Sequence, residues 1–204
     1  MTRLNPAQTY LDGVDREWER LGRPGTWLTG EERVGVATVA REARAEVDRG
    51  DHGLPGVVAA AARRVSAQPA TIRPDWIDAN LAAGLGHLTY VEIVGIVARL
   101  AAVDTFLLGI GWPERPLPPA QPGEPSRQVV DEATITDSAV PMVGTGAPGS
   151  LTAVAAESEA QFDLHGALYL SIDEMGDMDI SKDLHRTQME LVAARTSRLN
   201  DCFY

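Results

Sequence analysis

The feature that most constrains the fold is an almost continuously apolar segment, VEIVGIVARLAAVDTFLLGIG, which begins at Val91. We expect it to form a helix from Val91 to about Ile110. Apolar residues would cover most of the circumference of that helix, so it must lie buried between other helices. Arg99 and Asp104 interrupt the segment. No part of the chain reaches the roughly 18 uninterrupted apolar residues that a membrane span needs.

The other local signals are also helical. Aromatic residues make up 5% of the chain, and no stretch alternates apolar and polar residues as a half-buried strand does. Thr29 and Glu32 have the spacing of a capping box, which predicts a helix to about Asp48. Thr89 and Glu92 have the same spacing and predict the start of the long apolar helix. Further helices are expected over residues 7–22, 54–67, 75–85 and 150–170, and from Ser181 onward. The sequence therefore predicts an all-α fold.

A proline-rich segment divides the chain. Residues 112–126 contain six prolines, which exclude both a helix and a central strand. We interpret residues 112–148 as a linker or a long strap packed on its own domain, because such a long irregular segment usually has a function or joins two units. The predicted organisation is one unit over residues 1–111, this linker, and a second unit over residues 149–204.

Charge and cysteine content exclude several classes of protein. The 204 residues carry a formal net charge of −11, which disfavours nucleic acid and anionic membrane surfaces as partners. The single cysteine excludes an intramolecular disulfide framework, and no Cys/His spacing fits zinc. The N-terminus has no signal-peptide pattern, so we expect a cytoplasmic protein. We expect neither a metal nor a cofactor.

The last helix carries the residues of chemical interest, Glu190 and Cys202. Cys202 lies twelve positions after Glu190, so the two residues do not share one stripe of a straight helix. Asn200 and Asp201 favour a helix break, after which Cys202 would begin a new helix, where the helix dipole lowers the pKa of a thiol. The alternative is that Cys202 is an inert core residue, the usual place of a lone cysteine.

The run MELVAARTSRLNDCFY, residues 189–204, resembles the active-site segment of alkylhydroperoxidase D-like proteins, in the carboxymuconolactone decarboxylase superfamily. The family pattern is a glutamate, eleven residues, Cys-x-x-Cys, three more residues and a histidine. Glu190 and Cys202 match its first two positions, and the second cysteine and the histidine would follow Tyr204.

An upstream half of the chain resembles the cysteine-free repeat of two-repeat family members. Residues 29–111 have the same order of elements, with Glu32 at the position of Glu190 and Arg44 in place of the cysteine. The resemblance implies an alkylhydroperoxidase D-like helical bundle with a complete first repeat and a truncated second one.

The resemblance further implies a thiol-dependent peroxidase. Its substrate would be a hydroperoxide or another small molecule. An external dithiol would reduce the disulfide that the reaction leaves in the enzyme. Glu190 would relay protons and Cys202 would be the resolving cysteine, while the attacking cysteine has no counterpart in the sequence. Two alternatives stay open: an acid/base enzyme of the decarboxylase branch that uses Glu190 alone, and a non-catalytic oligomerisation module. We also expect a homo-oligomer or a second chain that covers the apolar face of the last helix.

Overall fold

The chain folds into helices joined by loops. The computed structural model describes residues 3–136 and 138–199, and all structural statements below concern these residues. They contain seven α-helices and no strand, apart from two isolated β-bridges. The helices are α1 (Gln8–Gly22), α2 (Gly30–Arg44), α3 (Gly56–Ala67), α4 (Pro74–Ala82), α5 (His87–Gly109), α6 (Ala155–Leu168) and α7 (Arg186–Leu199). The all-α prediction is confirmed.

Helix α5 contains the long apolar segment and lies at the centre of the fold. It packs against α2, α3 and α6, and more weakly against α1. Ile93, Ile96 and Val103 along this helix are almost completely buried. The segment is therefore covered by neighbouring helices, as its apolar circumference predicts. No helix in residues 3–136 and 138–199 is both long and apolar enough to cross a membrane.

One hydrophobic core joins the helices on both sides of the proline-rich segment. Side chains of α1, α2, α3 and α5 form a single buried cluster that also includes Leu164 of α6. Helix α6 packs closely on α1, where a side chain at Gly13 would collide with Ala167. The first helix of the predicted second unit thus shares its core with the first unit. The division into repeats stays a prediction.

The two predicted capping boxes have different outcomes. Thr29 caps α2 by accepting a hydrogen bond from the Glu32 backbone, and the Glu32 carboxylate accepts one from the Thr29 backbone. The box predicted at Thr89 and Glu92 is wrong, because α5 already begins at His87. The carboxylate of Glu92 instead accepts a hydrogen bond from the backbone of Trp27, a tertiary contact that the local spacing does not reveal.

Other helix ends also differ from the prediction. Helix α2 ends at Arg44 instead of Asp48, because Glu46 adopts a positive φ of 56° that a helix does not allow. Ser181 does not cap the last helix. It pairs with His185 in an isolated bridge, and α7 begins at Arg186, the residue after His185. Helix α6 begins at Ala155, five residues after the predicted start at Ser150.

The proline-rich segment follows the loop between α1 and α2. The indole of Trp18 donates a hydrogen bond of 2.7 Å to the carbonyl of Pro116, and the Gln121 backbone donates one of 2.7 Å to Gly22. Gly22 is required here, because a β-carbon would lie 2.7 Å from the carbonyl oxygen of Pro119. This segment is therefore a strap that packs on the first helices.

Candidate functional site

A cavity of about 670 Å³ lies between the N-terminal segment and helices α1, α5, α6 and α7. The cavity is partly open to solvent. Most of its wall is apolar, contributed by Leu4, Phe106, Ile110, Leu168, Met189 and Val192. Three helix ends and one extended segment meet here, so the cavity forms where their apolar faces fail to close on one another.

Two tyrosines place phenol groups on the cavity wall, and each donates to a carboxylate. The Tyr10 hydroxyl donates to Asp183 Oδ2 at 2.6 Å, and the Tyr169 hydroxyl donates to Glu190 Oε1 at 2.8 Å. The hydrogen bond to Asp183 and then burial raise the pKa of Tyr10. Burial and then the hydrogen bond to Glu190 raise the pKa of Tyr169. Both phenols therefore stay protonated at neutral pH.

Tyr169 lines the cavity and, together with Arg186 and Glu190, which are not among the lining residues, forms what we call the cavity-wall cluster. Arg186 Nε donates to Glu190 Oε1 at 2.6 Å, and its guanidinium also binds the carbonyl of Met175 at 3.1 Å. The hydrogen bond from Tyr169 and then the one from Arg186 lower the pKa of Glu190 below its ordinary value. Glu190 is therefore an ionised carboxylate at neutral pH. Its side chain is 44% exposed, so it can exchange a proton with a bound molecule or with solvent.

The structure describes one of the two residues predicted as catalytic, Glu190, and does not describe the other, Cys202. Glu190 lies on α7, whose residues Met189, Val192 and Ala193 line the cavity. Cys202 lies outside the described residues, as do the predicted helix break at Asn200 and Asp201 and the predicted pocket residue Tyr204. The distance between Glu190 and the thiol is thus untested.

Helix α7 has an apolar face that the described chain leaves open. Leu191 is 63% exposed and Leu199 is 84% exposed. Arg186 is the one buried residue among the described residues of this helix. The expected oligomer or second chain that would cover this face stays a prediction.

A second group of charged residues lies inside the core and was missed by the sequence analysis. We call Glu17, Arg33, Glu92, Arg99 and Glu157 the buried ion network. All are at most 3% exposed, and they come from α1, α2, α5 and α6. This is a large amount of buried charge for a core, and it needs complete pairing to be tolerated.

Glu157 occupies the centre of the buried ion network. Its carboxylate accepts hydrogen bonds from Arg33 at 2.8 Å and from Arg99 at 2.5 Å. Arg99 also donates to Glu17 at 2.7 Å, and Arg33 also binds Glu92. The network thus connects four helices through alternating carboxylates and guanidinium groups.

The balance between burial and the neighbouring guanidinium groups sets the direction in which the pKa of each buried carboxyl moves. Burial raises the pKa of Glu17 more than its pairs with Arg99 and Arg20 lower it. Burial likewise raises the pKa of Glu92 despite its pair with Arg33. Burial also acts on Glu157, but two guanidinium groups together outweigh it and lower the pKa.

Two glycines make room for this network. A β-carbon at Gly95 would collide with the Glu157 carboxylate, and one at Gly25 would collide with Glu92 and Arg33. A usable signal was present in the sequence. Glu92, Gly95 and Arg99 share one face of an otherwise apolar helix, which indicates a buried ion-pairing site rather than an interruption.

The site has no arrangement typical of a metal centre. Within residues 3–136 and 138–199, no group of three or more His, Cys, Asp or Glu side chains is placed to hold a metal ion. No protein-family model, no curated protein and no solved structure matches the chain.

Proposed function

We propose that this chain takes part in the thiol-dependent reduction of an organic hydroperoxide, with Glu190 as the proton-transfer group and Cys202 as the resolving thiol. One observation carries the proposal. Glu190 is a solvent-accessible carboxylate that Tyr169 and Arg186 hold by hydrogen bonds, on the helix that precedes Cys202 in the sequence, and Tyr169 lines an apolar cavity. A carboxylate that stays ionised can accept the proton of a thiol.

The chemistry requires a second thiol, because the 204 residues contain one cysteine. That thiolate attacks the terminal oxygen of the hydroperoxide and becomes a sulfenic acid. The O–O bond breaks, and the alkoxide leaves as an alcohol after taking a proton from water. Glu190 then accepts the proton of the Cys202 thiol. The Cys202 thiolate displaces hydroxide from the sulfenic acid and forms a disulfide, and Glu190 returns the proton to give water.

The test follows consumption of cumene hydroperoxide in the presence of dithiothreitol, which supplies the second thiol and the reducing electrons. The intact chain should consume peroxide faster than the dithiol alone. Glu190→Gln should lower the protein-dependent rate by about a hundredfold, the lower range of general acid–base effects. Cys202→Ser should abolish it. Glu31→Gln is the matched control, because Glu31 is an exposed carboxylate on α2.

Two outcomes would contradict this function. Equal rates for Glu190→Gln and Glu31→Gln would remove Glu190 from the chemistry. A Cys202→Ser variant with full activity would remove the thiol and favour the acid/base alternative, in which Glu190 works alone.

A further inference from the structure

We propose that the cavity beside α7 is a binding site for one neutral, largely apolar small molecule. The inference goes beyond the peroxidase proposal, because it concerns binding and does not depend on Cys202. It rests on the size of the cavity, the composition of its wall and the charges around its rim.

Size and lining both fit a small organic molecule. Binding pockets for such ligands have volumes of roughly 300–1,000 Å³ with mostly apolar walls, and this cavity measures about 670 Å³. Phe106 and Ile110 supply the wall from α5, and Met189 and Val192 supply it from α7. A bound apolar molecule would cover these side chains and remove them from water, which is favourable.

The charges around the cavity select against an anionic ligand. Lys182, the cation on the wall, already donates to Glu174 at 2.9 Å and to the Tyr169 carbonyl at 2.9 Å. Arg186 is paired with Glu190 in the same way. Among residues 3–136 and 138–199, Asp183 has only the neutral phenol of Tyr10 as its hydrogen-bond partner, so no cation of the described chain compensates its negative charge. A carboxylate or sulfonate in the cavity would be repelled by this group.

The polar atoms of the wall define what the ligand can carry. The hydroxyl protons of Tyr10 and Tyr169 are already donated to carboxylates, so the phenol oxygens remain as acceptors. A ligand with a hydroxyl-type donor at one end would satisfy them. The fitting class is therefore a neutral molecule with an apolar body and at most one such donor.

Two fluorescent probes test the class directly, because they share one scaffold. N-phenyl-1-naphthylamine is neutral, and 1-anilinonaphthalene-8-sulfonate adds a sulfonate to the same rings. We expect the neutral probe to bind one per chain and the sulfonate to bind roughly tenfold or more weakly. Asp183→Asn should narrow this difference, because it removes the uncompensated charge.

Two variants of neighbouring residues locate the binding. Ala193 lines the cavity, whereas Ala194 is exposed on the same helix. Ala193→Phe should fill the cavity and weaken binding of the neutral probe by roughly tenfold or more. Ala194→Phe should leave it unchanged. Far-UV circular dichroism checks that both variants keep the helical fold.

Several results would overturn the proposal. Equal affinity of the two variants for the neutral probe would place binding elsewhere. Tighter binding of the sulfonate would contradict the charge argument. Failure of the intact chain to bind the neutral probe, together with a dimer that Ala193→Phe dissociates, would show that a second copy of the chain fills the groove. Loss of peroxidase activity in Cys202→Ser with unchanged probe binding would leave this inference intact.

Discussion

The buried ion network and the cavity-wall cluster use the same pairing of guanidinium and carboxylate groups in opposite environments. Arg99 is 0% exposed and Glu157 is 2% exposed, whereas the Glu190 side chain is 44% exposed. In the network, burial raises the pKa of Glu17 and of Glu92 despite their guanidinium partners. In the cluster, hydrogen bonds from Tyr169 and Arg186 lower the pKa of Glu190.

The difference shows how burial decides what an ion pair does. A buried pair adds little net stability when complete, but losing one partner leaves a charge in a medium that cannot solvate it. An exposed pair adds little stability when it is complete, and losing one of its partners costs little because water solvates the other. The network therefore fixes how four helices meet, while the cluster leaves a carboxylate free to exchange protons.

The largest effect is expected from Arg99→Met. This change removes the hydrogen-bonded partner of Glu17, which keeps a longer ion pair with Arg20 at 3.5 Å, and it removes one of the two partners of Glu157. We expect a loss of about 3–5 kcal/mol in the free energy of unfolding, measured by urea denaturation. Arg16→Met is the control, because Arg16 is 47% exposed in its pair with Asp163, and it should cost about 0–1 kcal/mol. Similar losses for both variants would erase the distinction between the two regions.

A smaller loss is expected from Gly95→Ala. The new methyl group would collide with the Glu157 carboxylate, and relief of such overpacking in a core costs about 1–3 kcal/mol. Gly109→Ala on the same helix meets no atom within 4 Å and should stabilise the protein by up to about 0.5–1 kcal/mol. Thermal denaturation of the pair should show opposite signs, and stabilisation by both would mean that the network has space to spare.

The pH dependence of stability should distinguish two carboxylates of the network. Since the folded-state pKa of Glu17 is raised, its contribution is present below the ordinary glutamate pKa and is lost as pH rises through the folded value. Glu17→Gln should therefore lose stability relative to the parent chain as pH falls. The pKa of Glu157 is lowered, so Glu157→Gln should be most damaging at neutral pH and less so in acid. Urea midpoints measured across this pH range check both trends, and parallel curves would contradict them.

The smallest effect on stability is expected from Tyr169→Phe. Removing the hydroxyl takes away the hydrogen bond that contributes most to the low pKa of Glu190, so that pKa should rise toward its ordinary value. If the proposed function is right, the acid limb of the peroxide-reduction rate should move to higher pH, while the urea midpoint hardly changes. An unmoved acid limb would mean that another group controls it.

Particular residues show how far the sequence could be read. The apolar segment from Val91 predicted a long buried helix, although α5 begins four residues earlier at His87. The capping box at Thr29 predicted the start of α2 correctly, because capping acts within a few residues of the chain. Glu92 was assigned to a second box because Thr89 has the right spacing. Its true partners, Trp27 and Arg33, are 65 and 59 residues away, and local patterns carry no information on them.

The residues of the candidate site also divide into those that the sequence indicated and those that depend on contacts between distant parts of the chain. Glu190 and Cys202 were chosen through a family resemblance, which the chain's comparisons with known proteins leave untested. No local pattern indicated that Tyr169 and Arg186 would hold Glu190, or that Tyr10 would contact Asp183 across 173 residues. Cavities arise where elements fail to close on one another, so their walls cannot be read from any one element.

The sequence by itself determined that this protein is helical, that α5 is buried between other helices and that residues 112–126 form neither a helix nor a central strand. These follow from the local preference of each residue and from the need to remove apolar side chains from water. Only the tertiary structure decided which charged side chains lie inside. Arg99 meets Glu157 58 residues away, and Arg33 meets it 124 residues away. Such a contact depends on which helix faces pack together, a choice that the whole core makes at once.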